Sequence, residues 1–326
     1  MPDTDLNTQK LLQRTSLKVS FSNFLASLQS IYPQIGVISS YTPILVGYEA
    51  ANFILESKYG RFVLKIFESN RPRENINNLI QILIEAPKVG VPTLELVSGL
   101  QGNLSVYNED GIEIPYYITK YWEGESFEKH TPTNRDISQV TEYLACLNTL
   151  NFPVTEVYDA WGNKNLVKEY VTHSEAISNV VKEKVAPVVE EFKSIDFHAF
   201  SQGVIHGDMQ RKHVLKNTKG EYCILDFGCM SHDAKVIDLS TYLAWFCLGE
   251  DNWANNKQII HDVLEIYNKT HSLSQAEVEA LPILIRAAYA AYFLTTSLLI
   301  DEGDVSLETR NWHQSAERLL DLAKNL

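Results

Sequence analysis

Residues 204 to 215 read VIHGDMQRKHVL, with Asp208 two residues after His206 and His213 five residues after Asp208. A carboxylate between two imidazoles can bind a metal, move a proton or close a turn. A second run, YCILDFG, carries Asp226 eighteen residues after Asp208, and Lys65 stands far upstream in the apolar strand FVLKIF. HGD and DFG are short strings that chance supplies, and a lone strand lysine commonly faces solvent. A lysine inside an apolar strand is otherwise costly unless paired. The ordered set of one cation and two carboxylates is more demanding. Phosphoryl transfer from ATP needs a cation on the phosphates, a carboxylate for magnesium, and a carboxylate that orients the attacking hydroxyl.

The elements that must position these residues fall into two textures. An amphipathic helix over residues 19–30 precedes strand-like runs over 43–67, broken by Gly47 and Gly60. Pro72 opens a helical pattern, PRENINNLIQILIEA. More strand follows in TLELVSG, NLSVYN and PYYITKYW, giving a mostly antiparallel sheet with one inserted helix over residues 40–122. Beyond Gly124 helical patterns dominate (135–150, 174–194, 237–248, 255–270, 274–300 and 307–326), interrupted by strand-like HVLKN and YCILDFG. The expected division is therefore a β-rich unit at 1–122 and a helical unit at 123–326, with a ligand cleft between them.

The chain has 326 residues, 45% of them hydrophobic, enough for a sizeable core without disulfide or metal support. A net charge of −13 argues against nucleic acid as a partner, which would require a basic face. It would favour a cationic ligand. Four cysteines without a CxxC pairing fit buried thiols in a reducing compartment, so the expected location is the cytoplasm. The polar N-terminus lacks an apolar signal core. The run LPILIRAAYAAYFLTTSLLI, residues 281–300, has the length of a membrane span but carries Pro282, Arg286 and hydroxyls, and reads as a buried core helix.

Taken together, Lys65, HGDMQRKHVL and ILDFG resemble the aminoglycoside phosphotransferase and choline kinase-like small-molecule kinases, relatives of the protein kinases, over residues 40–300. The resemblance implies an α+β, bilobal protein-kinase-like fold, with ATP and Mg²⁺, or Mn²⁺, as cofactors. It implies that Asp208 is the catalytic base, Asp226 the main metal ligand and Lys65 the contact to the nucleotide phosphates. GYEAANF resembles the phosphate-covering turn, which makes Gly47 and Asn52 candidate loop residues; an ordinary hairpin turn would look the same. ITKYWEGESF resembles the family's hinge, so the backbone at Lys120 and Trp122 would face adenine. Asp238, in VIDLSTYL, reads as a helix N-cap.

The pattern departs from the family twice. His213 stands where the family has asparagine, and imidazole suits softer metals than Mg²⁺ better. The carboxylate partner of Lys65 is also hard to place. Glu74 is the candidate, although an acid in a first helical turn is favoured by the helix dipole anyway. His213 motivates one rival, a nucleotide-binding pseudokinase. A protein Ser/Thr kinase is another, disfavoured by the lack of a long segment after Asp226. A metal-dependent phosphohydrolase built on His206, His213, His232-Asp233 and Asp238 would need its His-Asp pair on a helix, whereas GCMSHDAK reads as a loop. For the acceptor, the stretches 242–253 and 292–304 set aromatics beside Glu250, Asp251, Asp301, Glu302 and Asp304. These could hold an ammonium by charge and cation–π contact, or be ordinary packing and solvated acids. Residues 281–293 resemble a helix of homoserine kinase-like members. The expected activity is phosphorylation of a hydroxyl on a small, amine-bearing molecule (an aminoglycoside, an amino alcohol or a homoserine-like compound).

Overall fold

A computed structural model describes residues 6–45 and 50–326 and divides them into two compact units, the first running to Gly124 apart from residues 89–91, which join the second. In the first unit, helices α1 (Leu6–Leu12) and α2 (Phe21–Ile31) precede strands β1 (Ile38–Ile44), β2 (Ala50–Ser57) and β3 (Gly60–Phe67). Helix α3 (Arg73–Glu85) then leads to β4 (Ser105–Glu109) and β5 (Ile112–Lys120). The five strands form one antiparallel sheet in the order β1-β2-β3-β5-β4. Residues 93–99, expected as strand, contribute only isolated bridges such as Leu96 to Thr119.

The period of two sorts the faces of this sheet. Phe62, Leu64 and Ile66 of β3 are buried in a core with Phe53, Leu55, Tyr116 and the apolar face of α2. Phe24 of α2 meets the Tyr116 ring edge-on at 5.3 Å and Phe21 lies 4.4 Å from Phe53. Lys65 consequently falls on the opposite face. There it forms a cross-strand row with Asn52 of β2 and Tyr117 of β5.

The second unit contains β6 (Glu125–Ser126), α4 (Asn134–Leu147), α5 (Leu166–Thr172), α6 (Asn179–Lys193) and β7 (Gln202–Ile205). It continues through β8 (Val214–Lys216), β9 (Tyr222–Ile224), β10 (Ser231–Ala234), α7 (Lys235–Tyr242), α8 (Asn256–Tyr267), α9 (Gln275–Asp301) and α10 (Leu307–Leu322). Two small antiparallel sheets, β6-β8-β9 and β7-β10, carry the loops of interest. Asp136 ties the first of them to α4. Its carboxylate closes a capping box with Thr133 and accepts hydrogen bonds from Lys216 Nζ at 2.5 Å and Tyr222 Oη at 2.7 Å. Burial would raise its pKa, but these donors from Lys216, Thr133 and Tyr222 hold it at about 2.

The long apolar run forms α9, which starts at a Ser274–Glu277 capping box and is buried continuously from Ala287 to Ser297. It packs against α6, α7 and α10. A helix apolar on all sides is what a core position requires. The His232-Asp233 pair lies in strand β10, paired with Val204 and Gly203 of β7, and not in a loop. Neither strand nor loop supplies the helical His-Asp pair that a phosphohydrolase centre needs.

Candidate active site

The loop after β7 is built by one buried carboxylate. Asp238, fully buried, accepts hydrogen bonds from the backbone N–H of His206 at 2.9 Å and of Gly207 at 3.0 Å. Asn148 Nδ2 donates to it as well, at 2.8 Å, and also reaches the Val204 carbonyl. Asp238 is therefore no N-cap. Helix α7 begins earlier, after Ala234, and this carboxylate sits inside its first turn as the anchor of the HGD loop. Gly207 has φ of +80°, and a Cβ there would lie 2.4 Å from the carbonyl oxygen of Cys229. Only glycine meets both demands. His206 Nε2 lies 2.9 Å from the Leu225 carbonyl, so it carries the proton, and Nδ1 accepts the Asp208 backbone N–H at 3.2 Å. Burial pushes its pKa down, in keeping with that neutral tautomer.

The loop so held presents Asp208. Its Oδ1 accepts from Gln210 Nε2 and lies 3.4 Å from the Tyr292 hydroxyl, and Gln210 Nε2 also bonds that hydroxyl at 2.8 Å. Burial, together with the charges of Asp226 and Asp159, pushes the Asp208 pKa up to about 7 against the opposing pull of Lys212. A carboxylate titrating near 7 suits a general base.

Asp226 follows β9 in left-handed backbone, φ +59°, a sparsely populated region for a residue with a side chain. The conformation leaves its carboxylate about half exposed, with Oδ2 3.4 Å from His213 Nε2. His213 Nδ1 lies 2.7 Å from the Asp208 carbonyl, which can only accept, so the ring proton sits on Nδ1. Burial lowers the His213 pKa and keeps the ring neutral. Its Nε2 lone pair then faces a carboxylate oxygen, two acceptors with nothing to share unless a cation lies between them. Two ligands on one divalent ion, each about 2.1 Å from it, stand roughly 3 Å apart. The His213–Asp226 pair thus fits a metal.

A cavity of about 310 Å³ opens beside Gln210 and Tyr292, the two side chains that meet Asp208 Oδ1. Aromatic rings form much of its wall: Trp245 lies 4.3 Å from Tyr292, and Trp312 lies 5.8 Å from it. Trp161 braces both Tyr292 and Trp312, at 5.0 and 5.5 Å. Of the five acids named from the sequence, Glu250 and Asp251 line this cavity and both are already paired, with Arg318 at 3.2 Å and Arg211 at 3.1 Å. Asp304 instead hydrogen-bonds Ser306 and Thr309 at the start of α10.

Comparison with known proteins decides the family. The family model for the phosphotransferase enzyme family matches residues 40–259. The chain belongs to that family. It is 24% identical over 268 residues to a homoserine kinase of Caulobacter sp. (strain K31), covering 80% of this chain and 81% of that one. A homoserine kinase of Agrobacterium fabrum (strain C58 / ATCC 33970) is 24% identical over 271 residues, covering 80% of each chain. Among solved structures, an amicoumacin kinase in complex with AMP-PNP, Ca²⁺ and Ami superposes with a TM-score of 0.67 at 13% identity, over 96% of both chains. A microcompartment-associated aminopropanol kinase gives 0.61 at 13% identity, over 93% of this chain and 94% of that one. The fold is accordingly α+β of the protein-kinase-like kind, and the protein is a kinase acting on an alcohol group of a small molecule.

In the first unit of this phosphotransferase, Gly47 lies outside the described residues. Asn52 is in strand β2 and not in a loop, directly across from Lys65. Lys65 itself is half-buried, its Nζ 5.6 Å from the centre of the Phe67 ring. Glu74 sits exposed on the first turn of α3 and makes no ion pair with Lys65. The helix dipole accounts for an acid there. Lys120 closes β5, its side chain paired with Glu95 at 2.6 Å and its backbone N–H bonded to the Glu95 carbonyl. Tyr121 N–H is likewise taken by the Arg61 carbonyl, while the backbone N–H groups of Trp122, Glu123 and Gly124 make no backbone hydrogen bond among the described residues.

Sequence reasoning missed Gln210, Lys212, Trp161 and Trp312. The first two were hidden inside the motif, and the tryptophans lie about 150 positions apart with no shared pattern.

Proposed function

We propose that this phosphotransferase moves the γ-phosphoryl group of ATP onto the hydroxyl of a small, amine-bearing acceptor bound in the aromatic cavity. One observation carries the reading: His213 stands between two carboxylates, Nδ1 3.4 Å from Asp208 Oδ2 and Nε2 3.4 Å from Asp226 Oδ2, and the Gln210 and Tyr292 side chains that meet Asp208 Oδ1 also line the cavity.

Asp208 accepts the hydroxyl proton as the acceptor oxygen bonds to phosphorus, and the bond from phosphorus to the β-phosphate oxygen breaks to release ADP. Gln210 and Tyr292 fix the Oδ1 edge of that carboxylate, so the Oδ2 edge is the one offered to the hydroxyl. Asp226 and His213 would hold Mg²⁺ or Mn²⁺, which when bound neutralises charge on the phosphates. Lys65 would neutralise the nucleotide phosphates further, with Asn52 beside it and Trp122 facing adenine. The aromatic wall supports an amine-bearing acceptor through cation–π contact. A protein acceptor is disfavoured, because only residues 227–234 separate Asp226 from α7. The four cysteines, none of them in a disulfide, accord with a reducing, cytoplasmic setting.

The test is ADP release against amino alcohols, aminoglycosides, hydroxy amino acids and sugars, in Mg²⁺ and in Mn²⁺. The Asp208→Asn variant is expected to keep ATP affinity and lose roughly 10²–10⁴ in turnover. Parental turnover in that variant would refute the base assignment. ATP binding without ADP release for any acceptor would favour the pseudokinase.

A further inference from the structure

The acceptor cavity holds a cation that makes no ion pair among the described residues. Of its two cations, Arg211 is taken by Asp251, through Nη1 at 3.1 Å and Nη2 at 3.2 Å, and by the Phe246 carbonyl through Nε. Lys212 has no carboxylate within ion-pair distance among the described residues. Its Nζ rests 4.1 Å from the centre of the Trp312 ring, inside the cavity and within electrostatic reach of Asp208. In the same wall, Trp245 Nε1 is buried without a hydrogen-bond partner among the described residues. Meanwhile the acids Glu250 and Asp251 are already engaged. Lys212 and Trp245 Nε1 are thus two donors of this wall without an acceptor among the described residues, and a buried donor so left is costly. Glu128, which also lines the cavity and makes no ion pair among the described residues, is exposed.

We infer that the acceptor carries a carboxylate as well as its hydroxyl, and that Lys212 is the residue that selects for it. This rests on the phosphotransferase reading and deepens it. One ammonium balances a monoanion. A phosphate dianion would leave an excess negative charge among Asp208, Glu128, Glu250 and Asp251. The aromatic wall remains for the rest of the molecule, so the class that fits is a small hydroxy acid, with or without an amine.

Three matched probes separate the charges: L-homoserine, 3-aminopropan-1-ol, which is homoserine without its carboxylate, and 4-hydroxybutyrate, which lacks the amine. With the full-length protein, ATP and Mn²⁺ or Mg²⁺, the kcat/KM ratio of L-homoserine to 3-aminopropan-1-ol is expected to exceed about ten. Lys212→Met is expected to lower that ratio about tenfold, and Lys212→Arg to restore part of it. The ratio is insensitive to general damage in a variant. A parental ratio below one, or a ratio that Lys212→Met leaves unchanged, overturns the inference. Should no probe release ADP, tryptophan fluorescence decides it without turnover. Quenching by L-homoserine and 4-hydroxybutyrate that Lys212→Met abolishes sustains the carboxylate site while the phosphotransferase reading falls. Quenching that ignores the carboxylate or the lysine removes the site.

Discussion

The loop at His206–Asp208 and the turn at Arg211–His213 each contribute a buried, neutral histidine, and the two are used in opposite ways. His206 commits both ring nitrogens to backbone, one to the Leu225 carbonyl and one to the Asp208 N–H. His213 commits only Nδ1, to the Asp208 carbonyl, and leaves Nε2 facing Asp226. Seven residues apart, one imidazole is scaffold and the other is a ligand in waiting. What separates them is the partner of the second nitrogen, a feature no sequence spacing records.

The largest effect should come from removing what holds the scaffold side. In Asp238→Asn the volume is kept, but the amide Nδ2 becomes a donor set against backbone N–H groups that already donate. Each buried donor left unmade costs about 1–3 kcal/mol, so a loss on the order of 3 kcal/mol in unfolding free energy is expected. Turnover should fall at least about a hundredfold with it, because the Asp208 backbone follows directly from the two N–H groups that this carboxylate holds, one of which loses its acceptor. Near-parental stability in denaturant titration would show that the loop does not depend on this carboxylate. The second break is His206→Phe, which keeps the packing against Phe227, 4.8 Å away. It strands the Leu225 carbonyl and the Asp208 N–H, and should cost about 1–3 kcal/mol with or without divalent metal.

How much of this contrast was legible in the sequence follows from its range. Lys65, Asp208 and Asp226 stand out as candidates because each sits in a local run, a strand or a strand-ended turn, that a period of two or a short string reveals. The long helices do too, α9 above all, since buried apolar residues recur over 27 positions. Strands β6, β7 and β10, two to four residues long, give no such signal. Asp238 misled for the same reason. Local logic makes an acid before an apolar run a cap, whereas this carboxylate bonds N–H groups 31 and 32 residues back along the chain. Glu74 misled in the converse way, its position having a sufficient local cause. The cavity was least legible, because Trp161 and Trp312 meet only through the packing around α9.

The ligand side of the comparison is sharpened by His213→Asn. No scaffold bond but that to the Asp208 carbonyl is at stake, so stability should change by less than in His206→Phe. The metal preference should move instead. An amide oxygen replaces imidazole nitrogen, favouring hard Mg²⁺ over Mn²⁺, and the ratio of the two affinities should shift about tenfold. Bound Mn²⁺ gives a readout independent of turnover: its electron spin echo should show ¹⁴N coupling in the parent and lose it in the variant. Absence of ¹⁴N coupling in the parent would return His213 to the scaffold class.

The smallest effect lies in the Asp208 carboxyl itself and concerns stability alone. Its pKa is raised by burial to about 7 from the ordinary value of 3.8, so between those values the folded state binds this proton more tightly than the unfolded chain. Stability from this group is thus fully present below about pH 4 and is lost as pH rises through about 7, the reverse of a salt-bridged aspartate. The base that would serve the reaction is ionised at the expense of the fold. Asp208→Asn removes that ionisation while its Oδ1 can still accept from Gln210. In the metal-free protein the variant should melt a few degrees above the parent at pH 8, and the difference should close towards pH 5. A variant that melts below the parent at pH 8 would mean that Lys212 and His213 stabilise the ionised carboxylate more than burial opposes it. The pH dependence of kcat/KM should then place the base well below 7.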